Sequence, residues 1–116
     1  MSDTRFEWDD AKDRENRRKH GVSFEEAQTV FLDENAIRYY DPDHSEQEDR
    51  FIMFGISFRL RVLVVCHCHR GKDEVIRIIT ARKANKKEQA DYWNYGWHYE
   101  KTLWLLKDER WAQSLH

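Results

Sequence analysis

The stretch Glu74-Val-Ile-Arg-Ile-Ile-Thr-Ala-Arg-Lys-Ala-Asn-Lys-Lys-Glu88 decides the fold that the sequence predicts. Its first half is a β-branched run around Arg77, apolar on both faces of the pleat, which is typical of a strand inside a sheet. Asn85 and Glu88 have the spacing of a helix N-cap and its capping-box partner. The stretch therefore predicts a central strand that passes directly into a helix.

Positive charge collects where this strand meets the helix. Cations so close together repel one another unless an anion lies among them, so the cluster indicates an anionic ligand. Arg77 and Arg82 are five residues apart, which places them on opposite faces of an uninterrupted strand. Both arginines can reach one phosphate only if the strand bends or ends before Arg82. The five cations of the cluster are Arg77, Arg82, Lys83, Lys86 and Lys87.

The charge of the 116-residue chain is segregated along the sequence. A net charge of -2 and a pI near 6.3 would by themselves argue against a polyanion-binding protein. However, residues 1–49 carry 7 Lys and Arg against 15 Asp and Glu, whereas residues 50–89 carry 10 against 3. Either the two halves neutralise each other across the fold, or the basic half faces an anionic substrate.

Two helices are predicted before the sheet. The first begins at a cap on Asp9 or Asp10 and runs to His20, with Gly21 ending it. Because this helix is almost entirely polar, we expect it on the surface. The second helix begins at the capping box that opens with Ser23, and apolar residues at helical spacing predict that one of its faces is core.

Period-two alternation predicts the strands. Residues 36–40 form one strand, and residues 50–58 and 60–69 form two more that are joined by a tight reversal. Phe6-Glu7-Trp8 is predicted to be an edge strand or a core anchor. The predicted class is therefore α+β: two N-terminal helices, an antiparallel sheet of about four strands with the helices gathered on one side, and one or more C-terminal helices, all in a single domain over residues 1–116.

Membrane insertion and metal binding are not indicated. No apolar run approaches the length of a membrane span and the N-terminus has no apolar signal region, so we expect a cytoplasmic protein. Cys66-His67-Cys68-His69 contains metal-binding residue types, but alternate residues of a strand point to opposite faces and cannot surround one ion. We expect two reduced thiols, no metal and no cofactor.

Metal-independent RNA cleavage is the chemistry that remains. It requires a base for the ribose 2′-OH, an acid for the leaving oxygen and cations for the charge on phosphorus, because the substrate supplies the nucleophile. Arginine suits the last task because its guanidinium forks onto phosphate oxygens. His67 and His69 are predicted to share a face with Arg61 near the basic surface, although histidines on a half-exposed strand need no function.

Several motifs of the chain resemble the BrnT family of bacterial type II toxins. The resemblance spans residues 6 to about 93 and leaves residues 94–116 as a C-terminal extension. The motifs are Phe6-Glu7-Trp8-Asp9, Asn16, Lys19-His20-Gly21-Val22-Ser23-Phe24-Glu25-Glu26-Ala27, Arg50, Gly55, Leu63-Val64-Val65, Ile76-Arg77-Ile78-Ile79-Thr80-Ala81-Arg82-Lys83-Ala84 and Glu88.

This resemblance implies a RelE-like ribonuclease fold, RNA cleavage that arrests translation, and neutralisation by a ribbon-helix-helix antitoxin of the BrnA type that also represses the operon. It implies that function depends on Arg50, Arg77 and Arg82, which we predict to be catalytic. We predict RNA binding by Lys19, His20, Arg61, His67, Lys83 and Lys86. No general base is implied, so the alternative is a catalytically inactive binding module that acts with a DNA-binding antitoxin in autoregulation.

The extension carries too much apolar surface for a solvated tail, because Trp97, Trp104 and Trp111 are accompanied by several leucines. Apolar residues at helical spacing predict a helix over about residues 99–112. Two alternatives remain open. The helix packs on its own domain, or it forms a surface for a homodimer or for the antitoxin.

Overall fold

The computed structural model describes residues 4–71 and 75–96 as a sheet with helical segments on both faces. Three α-helices are accompanied by two short 3-10 helices and one π-helical turn. In chain order the elements are β1 (Arg5–Glu7), α1 (Asp10–His20), α2 (Phe24–Gln28), a 3-10 helix (Thr29–Leu32), β2 (Ile37–Tyr40), a 3-10 turn (Pro42–His44), β3 (Arg50–Ile56), β4 (Val62–Arg70), β5 (Val75–Lys83), α3 (Lys86–Asp91) and the π-helical turn (Tyr92–Gly96).

The sheet has five strands in the order β1-β5-β4-β3-β2. Strands β2 to β5 form the predicted antiparallel meander, and β5 lies inside the sheet as its apolar run indicates. The sheet has one strand more than the four or so predicted, and it is mixed rather than purely antiparallel. Both differences are due to β1, which pairs in parallel with β5, with Phe6 opposite Ile76. Residues 6–8 were predicted to be either an edge strand or a core anchor, and β1 is an edge strand of the sheet.

Helical segments lie on both faces of the sheet, one of which they cover only in part, so the prediction that the helices gather on one side is wrong. Odd-numbered residues of β4, such as Leu63, face the core formed with α2, whereas even-numbered residues, such as Val64, face the opposite side. There Tyr92, just after α3, is fully buried against Phe54. Both faces of β4 are apolar, which favours a covering layer on each. On the Val64 side this layer extends only around Tyr92 and Phe54, and the part of the face towards Arg50 stays open.

Helix α1 is attached to the sheet by a buried amide, because the helix has no apolar face. Asn16 is 5% exposed. Its side chain donates hydrogen bonds of 2.8 Å to the carbonyl oxygens of Val22 and Ala81 and accepts one of 3.2 Å from the Ala81 backbone N–H. One side chain thus connects α1, the segment before α2 and the strand β5.

We expect Asn16→Ala to lower the free energy of unfolding by about 3 kcal/mol, because it leaves buried backbone groups without partners. Urea denaturation followed by circular dichroism measures the change. Lys12→Ala, at an exposed position one turn earlier in the same helix, is the control and should change stability by less than about 0.5 kcal/mol. Equal stability of the two variants would show that Asn16 does not anchor α1.

The C-terminal part of the described chain confirms the predicted helix start. Asn85 accepts from the Glu88 backbone N–H at 2.8 Å, and Glu88 accepts from the Asn85 backbone N–H at 2.9 Å. The helix predicted over about residues 99–112, and with it the choice between self-packing and an interface, lies outside the described residues. Within the described part of the chain, no helix is long and apolar enough to cross a membrane.

Candidate active site on the open face of the sheet

A β-bulge in β5 places Arg77 and Arg82 on the same face of the sheet. Ile79 is an extra residue of β5 that has no partner in β4. Arg77 pairs with Cys68 and Arg82 pairs with Val64. These two partners are four residues apart on a regular strand, so they point to the same side. Arginines five residues apart would lie on opposite faces of a regular strand, and the bulge is the irregularity that brings Arg77 and Arg82 to the same face.

A pocket of ≈ 250 Å³ lies on this face, with Arg50 and Arg82 among its lining residues. Ile52, Cys66 and Thr80 are cross-strand neighbours in its floor. By strand geometry, the Cα atoms of the two arginines are roughly 10 Å apart across the strands and roughly 13 Å apart along them. We call this site the open-face pocket, and it is lined by Asp41, His44, Arg50, Ile52, Val64, Cys66, Ile79, Thr80 and Arg82.

Arg82 is held in place by the first turn of α3. Its Nη1 and Nη2 atoms donate to the two carboxylate oxygens of Glu88 at 2.7 and 2.8 Å. This bidentate contact lowers the pKa of Glu88 and raises that of Arg82, so both groups stay charged. Because Glu88 also belongs to the capping box, the strand-to-helix corner orients the guanidinium, which keeps further N–H donors for a ligand.

Arg50 enters the pocket from the first position of β3. Its guanidinium lies 3.8 Å from Glu48, and its Nε is buried without a hydrogen-bond partner among the described residues. The Arg50 backbone is fixed at both polar atoms, because its N–H donates to Ser45 Oγ at 2.9 Å and its carbonyl accepts from the Asp41 N–H at 2.9 Å. The side chain is thus placed by a hydrogen-bonded turn, and its guanidinium, on a side chain that is 33% exposed, has only the 3.8 Å contact with Glu48 among the ion pairs of the described residues.

Arg77 lies on the same face but does not line the open-face pocket. It lies 3.7 Å from Glu7 on β1, and Glu7 is also 3.5 Å from Arg70. The pairing of β1 with β5 places this carboxylate beside Arg77, which no feature of the sequence indicated. Of the three arginines predicted to be catalytic, the structure brings Arg50 and Arg82 together in one pocket.

The predicted RNA-binding residues of α1 lie next to this pocket. Lys19 and His20 line a depression of ≈ 220 Å³ between α1 and β5. This depression shares Ile79 and Thr80 with the open-face pocket, so the two meet at the bulge. The other two predicted lysines, Lys83 and Lys86, are exposed but line neither depression.

Arg61, also predicted to bind RNA, has a side chain that is 27% exposed and is engaged by a buried carboxylate. Its Nε donates to Glu26 at 2.7 Å, and Ser57 Oγ donates to the same carboxylate at 2.7 Å. Burial alone would raise the pKa of Glu26, but the hydrogen bonds from Arg61 and Ser57 outweigh burial and hold it below its usual value. Arg61 therefore neutralises a carboxylate that is only 1% exposed.

His67 is fully buried, which contradicts its predicted role in RNA binding. Its ring centroid lies 4.8 Å from that of Phe31 and 6.0 Å from that of Phe51. Burial is the main reason that its pKa is lowered to about 4. The histidines do share a face with Arg61, as predicted, but the layer formed by α2 and the following 3-10 helix covers this face.

The low pKa of His67 predicts acid destabilisation. Between about pH 6.5 and pH 4 the unfolded chain binds a proton at this position and the folded chain does not, so stability is present above pH 6.5 and falls towards pH 4. The loss should reach about 3 kcal/mol. His67→Phe should remove this component of the pH profile in urea denaturation, and His20→Phe, at an exposed site, should leave it. Identical profiles for both variants would contradict the prediction.

His44 lines the open-face pocket and was missed by the sequence analysis. Its Nδ1 lies 2.9 Å from Asp41 Oδ2 across the 3-10 turn Pro42–His44. The three-residue spacing of an aspartate and a histidine around the one proline was a usable signal, because residues three apart in a 3-10 turn lie on the same side.

Neither thiol is placed for nucleophilic or metal chemistry. Burial raises the pKa of Cys66 and of Cys68, so both remain protonated near neutral pH. In residues 4–71 and 75–96, no group of three or more His, Cys, Asp or Glu side chains is arranged to hold a metal ion.

The fold and the site together define a small α+β protein with paired arginines on an open sheet face. A family model described as ribonuclease toxin, BrnT, of type II toxin-antitoxin system matches residues 8–88, and the chain belongs to this family. A crystal structure of the Brucella abortus ribonuclease toxin, BrnT, has a similar fold. The TM-score is 0.55 and the identity 22%, with 72% of this chain and 99% of that chain covered. Among proteins with curated descriptions, no significant match is found.

Proposed function

We propose that this protein is a metal-independent endoribonuclease that holds the scissile phosphodiester in the open-face pocket between Arg50 and Arg82. The observation that carries the proposal is that these two arginines line one pocket. The bulge at Ile79 turns Arg82 of β5 towards this face of the sheet. Membership of a family described as ribonuclease toxins supports the reaction class.

In the proposed reaction, the 2′-OH of the RNA attacks the neighbouring phosphorus and expels the 5′-oxygen. Arg82, oriented by Glu88, stabilises the additional negative charge on the phosphoryl oxygens as it develops. Arg50 positions the same phosphate through the terminal N–H groups of its guanidinium, which belong to a side chain that is one-third exposed. Arg77, outside the pocket but on the same face, binds a flanking phosphate. The products carry a 2′,3′-cyclic phosphate and a 5′-OH.

The RNA backbone on either side of the scissile step continues over the bulge towards α1. Lys19 and His20 bind it there in this proposal, which is supported by the contact between their depression and the open-face pocket. Lys83 and Lys86, exposed beside the strand-to-helix corner, add sequence-independent attraction for phosphates.

In the cell, we propose that cleavage of RNA arrests translation and that a ribbon-helix-helix antitoxin of the BrnA type neutralises the toxin. An antitoxin is the partner that a type II system implies. The RelE-like character of the fold belongs to the same proposal. Residues 94–116 keep their two alternatives, packing on their own domain or forming a surface for a homodimer or for the antitoxin.

The test is cleavage of end-labelled single-stranded RNA by the purified protein in excess EDTA. We expect cleavage at the same rate with and without Mg²⁺, and products that carry cyclic phosphate ends. Loss of activity in EDTA would contradict metal independence. Absence of cleavage under all conditions, combined with intact antitoxin binding, would favour the alternative of an inactive binding module.

A further inference from the structure

We infer that His44 is the general base of the cleavage reaction and that Asp41 is its positioning residue. The inference rests on the proposed function, because it assigns the group that takes the proton from the 2′-OH. His44 has a side chain that is 67% exposed and lines the pocket, whereas the side chain of Asp41 is 11% exposed. The pair thus has one buried partner and one that substrate can reach.

The hydrogen bond within this pair determines which ring nitrogen of His44 faces the substrate. An ionised carboxylate only accepts hydrogen bonds, so the 2.9 Å contact with Asp41 Oδ2 requires that Nδ1 of His44 carries the proton. In the neutral ring, Nε2 is then the unprotonated nitrogen and a proton acceptor. The same division of roles between a buried aspartate and a histidine serves the catalytic triads.

The backbone places His44 and Arg50 as one unit. Ser45 Oγ donates to the Asp41 carbonyl and accepts from the Arg50 N–H, while the Asp41 N–H donates to the Arg50 carbonyl. The turn that carries the histidine is therefore bonded to the residue proposed to position the phosphate. This coupling suits the reaction, because the attacking 2′-OH and the phosphorus belong to the same nucleotide step.

The other polar groups that line the pocket are less suited to accept this proton. The thiol of Cys66 is kept protonated by burial, and Thr80 offers a hydroxyl, which is a poor base. Glu88, nearby, is engaged by Arg82 through both oxygens. The charged groups around His44 are Asp41, Asp43, Glu46, Glu48 and Arg50, with Arg82 also in the pocket lining.

The proposed step conserves atoms and charge. The O–H bond of the 2′-hydroxyl breaks, its proton moves to His44 Nε2, and its electron pair forms the new O–P bond. The bond from phosphorus to the 5′-oxygen then breaks, and the departing oxygen takes a proton from solvent water. The His44 imidazolium returns its proton to solvent, so the base is regenerated and no cofactor is consumed.

The inference is tested by single-turnover cleavage in EDTA of labelled single-stranded RNAs that together contain every dinucleotide step. We expect His44→Ala to lower the rate by about 100- to 10,000-fold. Asp41→Asn should lower it by a smaller factor. Asp43→Asn, the same chemical change two residues away in the same turn, is the matched control and should cleave at least as fast as the wild type.

Two further measurements separate a proton-transfer role from a structural one. Added imidazole should partly restore cleavage by His44→Ala but not by Arg82→Ala. Both His44→Ala and His44→Gln should bind an oligonucleotide with 2′-deoxy sugars with the same Kd as the wild type. If both variants lose this binding, or if imidazole restores nothing, His44 is not the base.

The identity of the proton-transfer step is tested with an RNA whose scissile 5′-oxygen is replaced by sulfur, a leaving group that needs no proton. The defect of His44→Ala should persist on this substrate. If it disappears, His44 is the acid and the inference is overturned. An active wild type with a His44→Ala rate within twofold of it overturns this inference but leaves the proposed function intact. An inactive wild type contradicts the proposed function itself.

Discussion

Arg82→Ala is expected to lower the rate of RNA cleavage by about 100- to 1,000-fold, the usual effect of removing one preorganised donor from a developing negative charge. Arg82 is half-exposed, and its ion pair with Glu88 lies at the surface corner between β5 and α3, so the fold should tolerate the change. Single-turnover cleavage measures the rate, and urea denaturation verifies that the variant is folded.

The change also releases the Glu88 carboxylate beside the pocket, where it could repel the RNA. The double variant Arg82→Ala with Glu88→Gln removes that charge and keeps a capping side chain. We expect the double variant to remain as slow as Arg82→Ala. Full recovery would mean that Arg82 acts only by neutralising Glu88. Arg59→Ala, an exposed arginine in the turn between β3 and β4, is the charge-matched control and should retain full activity.

Arg61→Ala is expected to have the largest effect on stability, a loss of about 3–5 kcal/mol in the free energy of unfolding, because it leaves the buried Glu26 without its cation. The effect should depend on pH. The folded pKa of Glu26 is depressed, so the stabilisation is present above its unfolded value of 4.5 and is lost as pH falls through the lower folded value.

Thermal or urea unfolding at pH 7 and at pH 3 measures both the loss and its pH dependence. The double variant Glu26→Gln with Arg61→Met removes both charges and should recover much of the stability lost in Arg61→Ala. If Arg61→Ala is as stable as the wild type but cleaves RNA poorly, the original prediction that Arg61 binds RNA would be restored.

Local signals in the sequence were sufficient for the elements and their starts. The N-caps at Ser23 and Asn85 place the beginnings of α2 and α3 correctly, because a cap depends on residues within three positions. The full capping box forms only at Asn85, since the Glu26 carboxylate accepts from Arg61 and Ser57 instead. The apolar run of β5 predicts its interior position. The parallel pairing of β1 was not predictable in this way, because it depends on where the chain returns after two helices.

The site was predictable only in part. Arg50 and Arg82, both predicted to be catalytic, line one pocket in the structure, but their convergence depends on the bulge at Ile79, and no residue type in that run signals a bulge. The pairing of Arg61 with Glu26 and the burial of His67 were not predictable for a different reason. Period-two alternation shows which residues share a face, and it does not show which face the helices cover.

The most direct test of the account is a structure of the protein bound to an oligonucleotide that has a 2′-deoxy sugar at the scissile step and therefore cannot be cleaved there. We expect the scissile phosphate to lie within hydrogen-bonding distance of Arg50 and Arg82, with His44 Nε2 facing the 2′ position. A phosphate chain that avoids the open-face pocket, for example one bound only along Arg77 and Arg70, would contradict it.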